Sequence, residues 1–329
     1  MTTRATVRLG ATGPEVFPIA LGCMGFSGIY GSGSDEEAIA TIHAAIERGV
    51  DLLDTGDFYG MGHNEMLVGK AIAGRRDQVK LSVKFGAQRG PDGSWLGVDT
   101  RPAAVSTALA YSLQRLGVDY VDVYRPARLD PNVPIEDTVG AISRLIEKGY
   151  VRHIGLSEVG PNTIRRAHAV HPIADLQIEY AVISRAPEQR IFPLLDELGI
   201  SATCYGILSR GLLSGSKPTG AGDFRKHLPR FSAENREGND AVVQRFASFA
   251  ADHRMTPAQL AIAWMRAKQP GFVALVGMRT PTQLADALAA EEHRLDAAAL
   301  AELERLIPAD AIAGTRYAAP QMAHLDSER

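Results

Sequence analysis

The sequence predicts an α/β protein: a closed (β/α)8 TIM barrel with an N-terminal β-hairpin and a long loop after its seventh strand. Three observations carry this. Eight short apolar runs, at residues 19–24, 50–54, 79–84, 120–125, 151–156, 174–178, 200–205 and 272–276, have the length and composition of strands. Helix-like amphipathic segments lie between them. Such alternation implies parallel strands joined by right-handed crossovers, and eight units suit a closed barrel. The rival architecture, an open doubly wound sheet, would carry G-x-G-x-x-G in its first turn when it binds a dinucleotide. The first loop here, "GCMGFSGIYGSGS", is glycine-rich but lacks that spacing.

The elements follow in order. Residues 6–10 and 16–19 flank the turn "ATGPE" and read as a hairpin covering the barrel bottom. A helix over 34–48 opens with Ser34 as N-cap and acids in its first turn. Helices over 64–73, 101–116, 135–148, 162–170, 188–198, 256–268 and 282–290 come next. Gly49, Gly117, Gly149 and Gly199 stand where a left-handed C′ residue is expected. Residues 206–239 mix glycine, proline and charge, and a loop this long in a compact domain is usually functional or disordered. Residues 296–307 read as an extra C-terminal helix, and 308–329 as a tail. Length alone would suggest two domains at ~150 residues each, but α/β barrels reach 329 residues as one, so a single domain over 1–329 is expected.

Composition narrows the function. Hydrophobic residues make up 45% and charged residues 22%, as in an ordinary globular enzyme. A net charge of −3 lacks the basic excess of a nucleic-acid binder. No run approaches the ~20 apolar residues of a membrane helix, and residues 1–10 hold no apolar core of a signal peptide. Cys23 and Cys204 lie singly in apolar runs, which suits buried thiols in a reducing cytoplasm. His168 and His171, in "HAVH", have no further ligands nearby, so no metal site is expected.

Barrel active sites lie at the C-terminal ends of the strands. Those ends supply Met24 and Gly25, then Asp54 with Tyr59 beyond it, then Lys84, then Arg125 and Ala127. Ser157 and Glu158, Gln177, Tyr205, and Gly277 with Arg279 complete the ring. An acid, a lysine and a phenol at neighbouring strand ends form a proton-transfer set. Asp54 would hold Lys84, Lys84 would lower the pKa of Tyr59, and Tyr59 would act as general acid. The same residues also suit a structural Asp–Lys pair beside a packed tyrosine. Trp95 either lines a pocket or anchors the loop after the third strand, and Trp264 reads as core.

"GVDLLDTGDFYGMGHNEMLVGKAI" followed by "KLSVKFG" resembles the aldo-keto reductase signature, with the family's Asp, Tyr and Lys at Asp54, Tyr59 and Lys84. "GLSEVGPNTIRRAHAVHPIADLQIEY" and "CYGILSRGLLSG" resemble its next two blocks, and the likeness runs from about residue 7 to about 307. It is nearest to the longer bacterial and plant members of the pyridoxal-reductase or perakine-reductase type. The resemblance implies reduction of an aldehyde or ketone by NADPH, with a small carbonyl compound as the partner. It places the nicotinamide on Tyr205, its carboxamide on Ser157 and Gln177, and the pyrophosphate past Gly206, Leu208 and Arg210. The loop 206–239 would cover the cofactor. The adenosine end would meet Gly277, Met278, Arg279, Gln283 and Asp286. A preference for NADPH is expected from Arg279, helped by Arg225, Lys226 and Arg230.

The chain departs from that pattern twice. Ala287 follows Asp286 where the family usually has Asn. Ala127, in "DVYRPARLD", stands at the family's catalytic His. A second reading therefore competes with the enzyme: a cofactor-binding regulatory or partner-binding protein with little turnover. Arg125 either reaches toward the space at Ala127 and serves catalysis, or pairs with a carboxylate inside the barrel.

Overall fold

The computed structural model describes residues 5–30, 33–220 and 222–329. A hairpin of β1 (Val7–Arg8) and β2 (Glu15–Val16) precedes β3 (Ile19–Gly22), β4 (Leu52–Gly56) and β5 (Lys80–Phe85). The loop after β5 carries a second hairpin, β6 (Ala87–Arg89) with β7 (Trp95–Val98). Then come β8 (Val121–Pro126), β9 (Val151–Ser157), β10 (Ile173–Glu179), β11 (Ser201–Tyr205) and β12 (Val273–Gly277). Strands β3, β4, β5 and β8 to β12 pair in that order into a closed parallel barrel, Gly277 of β12 returning to Gly22 of β3.

Helices α1 (Asp35–Glu47), α2 (His63–Ile72), α3 (Pro102–Leu116), α4 (Ile135–Glu147), α5 (Pro161–Val170) and α6 (Pro187–Leu198) each follow a barrel strand. Their ends obey local chemistry. Ser34 accepts from the Glu37 amide and caps α1, whose first turn holds Asp35, Glu36 and Glu37. Gly117 and Gly199 close α3 and α6 in the left-handed conformation. After β11 come α7 (Ala233–Asp252) and α8 (Pro257–Lys268), the latter opened by a Thr256/Gln259 capping box. Helix α9 (Pro281–Ala289) follows β12, and α10 (Ala297–Leu306) and α11 (Ala319–Met322) follow in turn.

Two elements differ from the expectation. Helix α7 takes up residues 233–239 of the segment read as loop. Its start is polar, and Asn239 is held by tertiary bonds from its Nδ2 to the carbonyls of Arg230 and Ala313. The apolar signal comes only later, in Val242, Phe246, Phe249 and Ala250. The β6–β7 hairpin also lacks the alternating pattern that marks a strand, because it rests on the barrel rim.

Alternation along each strand sorts the barrel interior into layers. At the bottom Ala20, Leu52, Val123, Val273 and Leu275 pack with Val7, Leu9 and Val16, so the N-terminal hairpin closes the floor. In the middle lies Arg125, fully buried. Its Nη2 donates to Asp175 Oδ2 at 3.1 Å and to Ser82 Oγ at 3.0 Å, and its Nη1 to the Leu156 carbonyl at 3.2 Å. Of the two readings of Arg125, this is the pairing with a carboxylate inside the barrel, and it corrects the catalytic one: Arg125 does not reach the mouth. The reason is geometric. Arg125 faces inward one layer below the rim, and the buried Asp175 holds it there. Gly155 makes room, since a Cβ at that position would lie 2.9 Å from the Arg125 guanidinium carbon.

The tail, residues 308–329, folds back over the mouth. Asp326 Oδ2 accepts from the Gly160 amide at 2.8 Å and Thr163 Oγ1 at 2.7 Å, capping α5, whose own N-cap residue is a glycine without a capping side chain. A Cβ on Gly160 would stand 2.7 Å from the Asp326 carbonyl, so the tail's approach depends on glycine there.

Candidate active site

One cleft of about 580 Å³ opens at the C-terminal ends of the strands. Of the expected site residues, Arg125, Glu158, Lys226 and Arg230 do not line it; the others do, among them Asp54, Tyr59, Lys84 and Ala127, and Met278, Arg279, Gln283 and Asp286.

Register brings the first group together. Gly56 of β4 pairs with Lys84 of β5, and Asp54 with Ser82. The Asp54 carboxylate lies buried against Lys84 Nζ and accepts from Ser82 Oγ and Gln177 Nε2, each at 2.8 Å. Gln177 thus spends its amide on Asp54. Lys84 Nζ sits 5.2 Å from the centre of the Tyr59 ring. Burial lowers the Lys84 pKa, Asp54 opposing it and Arg125 adding to it. Burial, then Asp54, pushes the Tyr59 phenol well above its ordinary range, with Arg128 pulling the other way. Tyr59 is therefore protonated, and the sequence-based expectation of a lowered pKa gives way to the opposite shift. The cause is desolvation in a nearly closed site.

Tyr59 is presented by an unusual turn. Gly60, Met61 and Gly62 all have positive φ, at 56°, 54° and 95°. A Cβ on Gly60 would come within 2.8 Å of Ser27 Cβ, so the turn also needs glycine for space.

A second group joins Glu158, expected at the mouth, to three residues that were not expected there. Arg128, Tyr317, Arg316 and Glu158 form a network across the rim. Arg128 Nη1 donates to its neighbouring Ala127 carbonyl at 2.6 Å and to Ser157 Oγ at 3.5 Å, and its Nη2 to Tyr317 Oη at 3.3 Å. Tyr205 Oη donates to Glu158 Oε1 at 2.7 Å, so the 3.1 Å contact between the phenols runs from Tyr317 to Tyr205. Burial raises the Tyr317 pKa, but the charges of Arg210 and Arg128 outweigh it and leave the phenol lowered. Burial likewise raises Glu158, yet Arg316 and Arg128 hold it well below the usual carboxylate range. No local pattern marked Tyr317, which reaches the mouth only because the tail folds back. Arg128 carried a signal that went unused, being a cation just beyond a strand end.

At the far end Arg279 lies against Gly25, whose Cβ would stand 3.2 Å from the Arg279 Cγ. Arg279 Nη1 donates to the Tyr30 carbonyl at 3.2 Å, and its amide to Gln283 Oε1 at 2.8 Å. Asp286 accepts from Thr256 Oγ1 and from Gln259 Nε2 at 2.8 Å, which ties it to the start of α8. Of the loop cations expected to help Arg279, only Arg225 lines the cleft, and it is paired with Asp223 at 2.7 Å. Arg230 turns away to Glu179, and Lys226 does not line the cleft. Trp95 does line it, beneath the Arg89 guanidinium. Trp264 is fully buried in the core.

Three comparisons bear on this geometry. The model of the aldo/keto reductase family matches residues 18–308. A probable aldo-keto reductase from Glycine max is 39% identical over 320 residues, covering 94% of this chain and 91% of that protein. Among solved structures, a glycerol dehydrogenase from Gluconobacter oxydans superposes with a TM-score of 0.84 at 26% identity, over 96% of this chain and 99% of that one. An aldo/keto reductase from Klebsiella pneumoniae, solved with NADP and acetate, gives a TM-score of 0.73 at 25% identity, over 92% and 95%. Such enzymes use nicotinamide cofactors for redox chemistry on small carbonyl compounds. The chain belongs to the aldo/keto reductase family.

Proposed function

We propose that this protein reduces an aldehyde or ketone to the alcohol with NADPH, Tyr59 giving the proton. The observation that carries the reading is the buried Asp54–Lys84 pair set beneath the Tyr59 ring at one end of a long cleft.

The cleft suits a dinucleotide. Gly22 and Gly277, paired in register at the rim, leave an open shelf: a Cβ on Gly277 would meet nothing nearer than the Gly22 carbonyl at 4.0 Å. Tyr205 offers a flat face to a nicotinamide, Ser157 a hydroxyl to its carboxamide, and Arg279 a cation to a ribose phosphate. When bound, reduced nicotinamide supplies the hydride.

The rest is done by the chain. Burial keeps Tyr59 protonated until a carbonyl oxygen gains charge and takes the proton. The phenolate left behind lies near two cations, Lys84 and Arg128. Asp54 holds the ammonium in place, and Ser82 and Gln177 hold Asp54. Tyr59→Phe should cut turnover by at least ~100-fold, the scale of general acid catalysis, while cofactor affinity changes little. NADPH oxidation with a panel of aldehydes measures this, and near-normal turnover by the variant counts against the reading. Cofactor retention without turnover in the unaltered protein would favour a binding role instead.

A further inference from the structure

We infer that the substrate end of the cleft is a built anion site, with Arg128 as anchor and Arg89 at the rim, so that the preferred carbonyl compounds carry a carboxylate. This rests on the reductase reading and names its substrate class.

The mouth is rich in arginine, and four of the guanidiniums in or beside it have an acid. Arg316 meets Glu158, Arg210 and Arg230 meet Glu179, and Arg225 meets Asp223. Among the described residues Arg279, held at the far end on the Tyr30 carbonyl, and Arg89 have none, and neither has Arg128. Among the described residues no carboxylate lies within ion-pair distance of it, and its three acceptors are a carbonyl and two hydroxyls. Glu158 is reached from it only through Tyr317 and Tyr205, and Glu158 is already engaged by Arg316. A guanidinium drawn into a cleft without a counter-charge is costly unless an anion arrives with the ligand. Its planar fork matches a carboxylate.

Arg89 repeats the pattern at the rim. It donates only to the Gly93 carbonyl at 3.3 Å and lies 5.3 Å over the Trp95 ring, with no carboxylate partner among the described residues. Cofactor phosphates do not account for Arg128. Arg279 is placed to take one at the far end, and Arg210, which lies 4.4 Å over the same Tyr317 ring, is already paired with Glu179, whereas Arg128 touches Ala127 and Ser157. Phe58 and Trp95 provide apolar faces at this end of the cleft, suited to an aromatic or alkyl spacer between carbonyl and carboxylate.

The test compares kcat/KM for 4-carboxybenzaldehyde and 4-methylbenzaldehyde. The unaltered protein should favour the carboxylate at least about tenfold. Arg128→Gln should lower that ratio roughly ten- to a hundredfold, the scale of a charge-assisted hydrogen bond; Arg128→Lys should keep part of it, and Arg89→Gln should lower it less. A ratio at or below one in the unaltered protein overturns the proposal. So does a ratio unchanged in Arg128→Gln, which would make Arg128 a donor to every carbonyl. If neither aldehyde is reduced, the reductase reading falls. The anion site is then judged by calorimetry of benzoate with the NADP-loaded protein, where no binding, or binding unaltered in Arg128→Gln, sinks it.

Discussion

Arg316, carried by the C-terminal tail, meets Glu158 at the end of β9 in a two-pronged ion pair, Nη1 to Oε1 at 2.8 Å and Nη2 to Oε2 at 2.5 Å. Glu158 has left-handed backbone, φ 54°, a conformation costly for a residue with a Cβ and held here by these bonds and by the Ser327 hydroxyl. The pair ties the tail to the barrel beside Tyr205 and keeps Tyr317 over the mouth. Arg316→Met should destabilise the fold by about 3–5 kcal/mol, because it strands a buried carboxylate. Adding Glu158→Gln should recover much of that loss. Because the folded pKa of Glu158 is depressed, its stabilisation is present above the ordinary glutamate pKa and lost as pH falls through the folded value. Urea unfolding of the single and double variants checks both points. Equal stability of the two would mean that the pair does not act as a unit.

Arg125 and Asp175 are a second buried pair, but one without access to the cleft. Arg125→Met should cost about 3–5 kcal/mol, again by leaving an uncompensated charge, and turnover per folded molecule should stay within about threefold. The double change with Asp175→Leu should be close to neutral, as when a buried pair is exchanged for apolar groups. A folded Arg125→Met protein that loses turnover tenfold or more would restore a catalytic role to Arg125.

The difference between Arg125 and Arg128 shows how far the sequence could be read. Strand–helix alternation is a local signal, and it located all eight barrel strands, with the end of each to within two residues. Asp54, Lys84 and Tyr59 follow directly, because a strand end is a place in the barrel as well as in the sequence. Which of two arginines three residues apart faces the cleft is a matter of layer depth. That depends on Asp175, fifty residues away, and on the space left by Gly155. Tyr317 and Arg316 were less legible still. The tail has no periodicity of its own, and its position is set by Glu158 and by the bare N-terminus of α5, which Asp326 caps. Helix α7 hid behind a polar first turn whose partners lie in the tail and at Arg230.

Cofactor choice now rests on Arg279 alone among the cations expected to set it. Its guanidinium lines the cleft with a carbonyl as partner and, among the described residues, no carboxylate. A charge-assisted contact with a 2′-phosphate would contribute ~1.5–3 kcal/mol. NADPH should therefore bind about ten- to a hundredfold more tightly than NADH, and Arg279→Ala should remove most of that ratio. Titration of both cofactors against cofactor-free protein decides the matter. Equal affinities in the unaltered protein would show that the phosphate is not read at this position.

Asp57 links the Tyr59 turn to the strand that carries Lys84, and it should make the fold sensitive to pH. Its amide donates to the Lys84 carbonyl at 2.9 Å, and its Oδ2 accepts from the Gly86 amide at 3.3 Å. Its other oxygen, Oδ1, is buried without a partner. Burial, then the nearby Glu65, raises the carboxyl from 3.8 to about 7, with the Gly86 amide and Arg115 opposing. The folded protein therefore holds this proton more tightly than the unfolded chain does. Stability from this group is greatest below pH 4 and falls as pH rises toward 7, the reverse of a salt-bridged acid. Three pKa units correspond to about 4 kcal/mol over the whole range. Asp57→Asn keeps the shape and an acceptor for Gly86 but cannot ionise. Relative to the unaltered protein it should gain about 2–4 kcal/mol between pH 5 and pH 8. Titrating groups that do not interact with Asp57 are common to both proteins and cancel in the difference, while Glu65, which does interact, contributes through its coupling to Asp57. Urea unfolding at pH 5, 6, 7 and 8 measures the curve. A difference between the two proteins that stays constant across that range would mean that Asp57 is ionised throughout and that its partnerless oxygen is solvated.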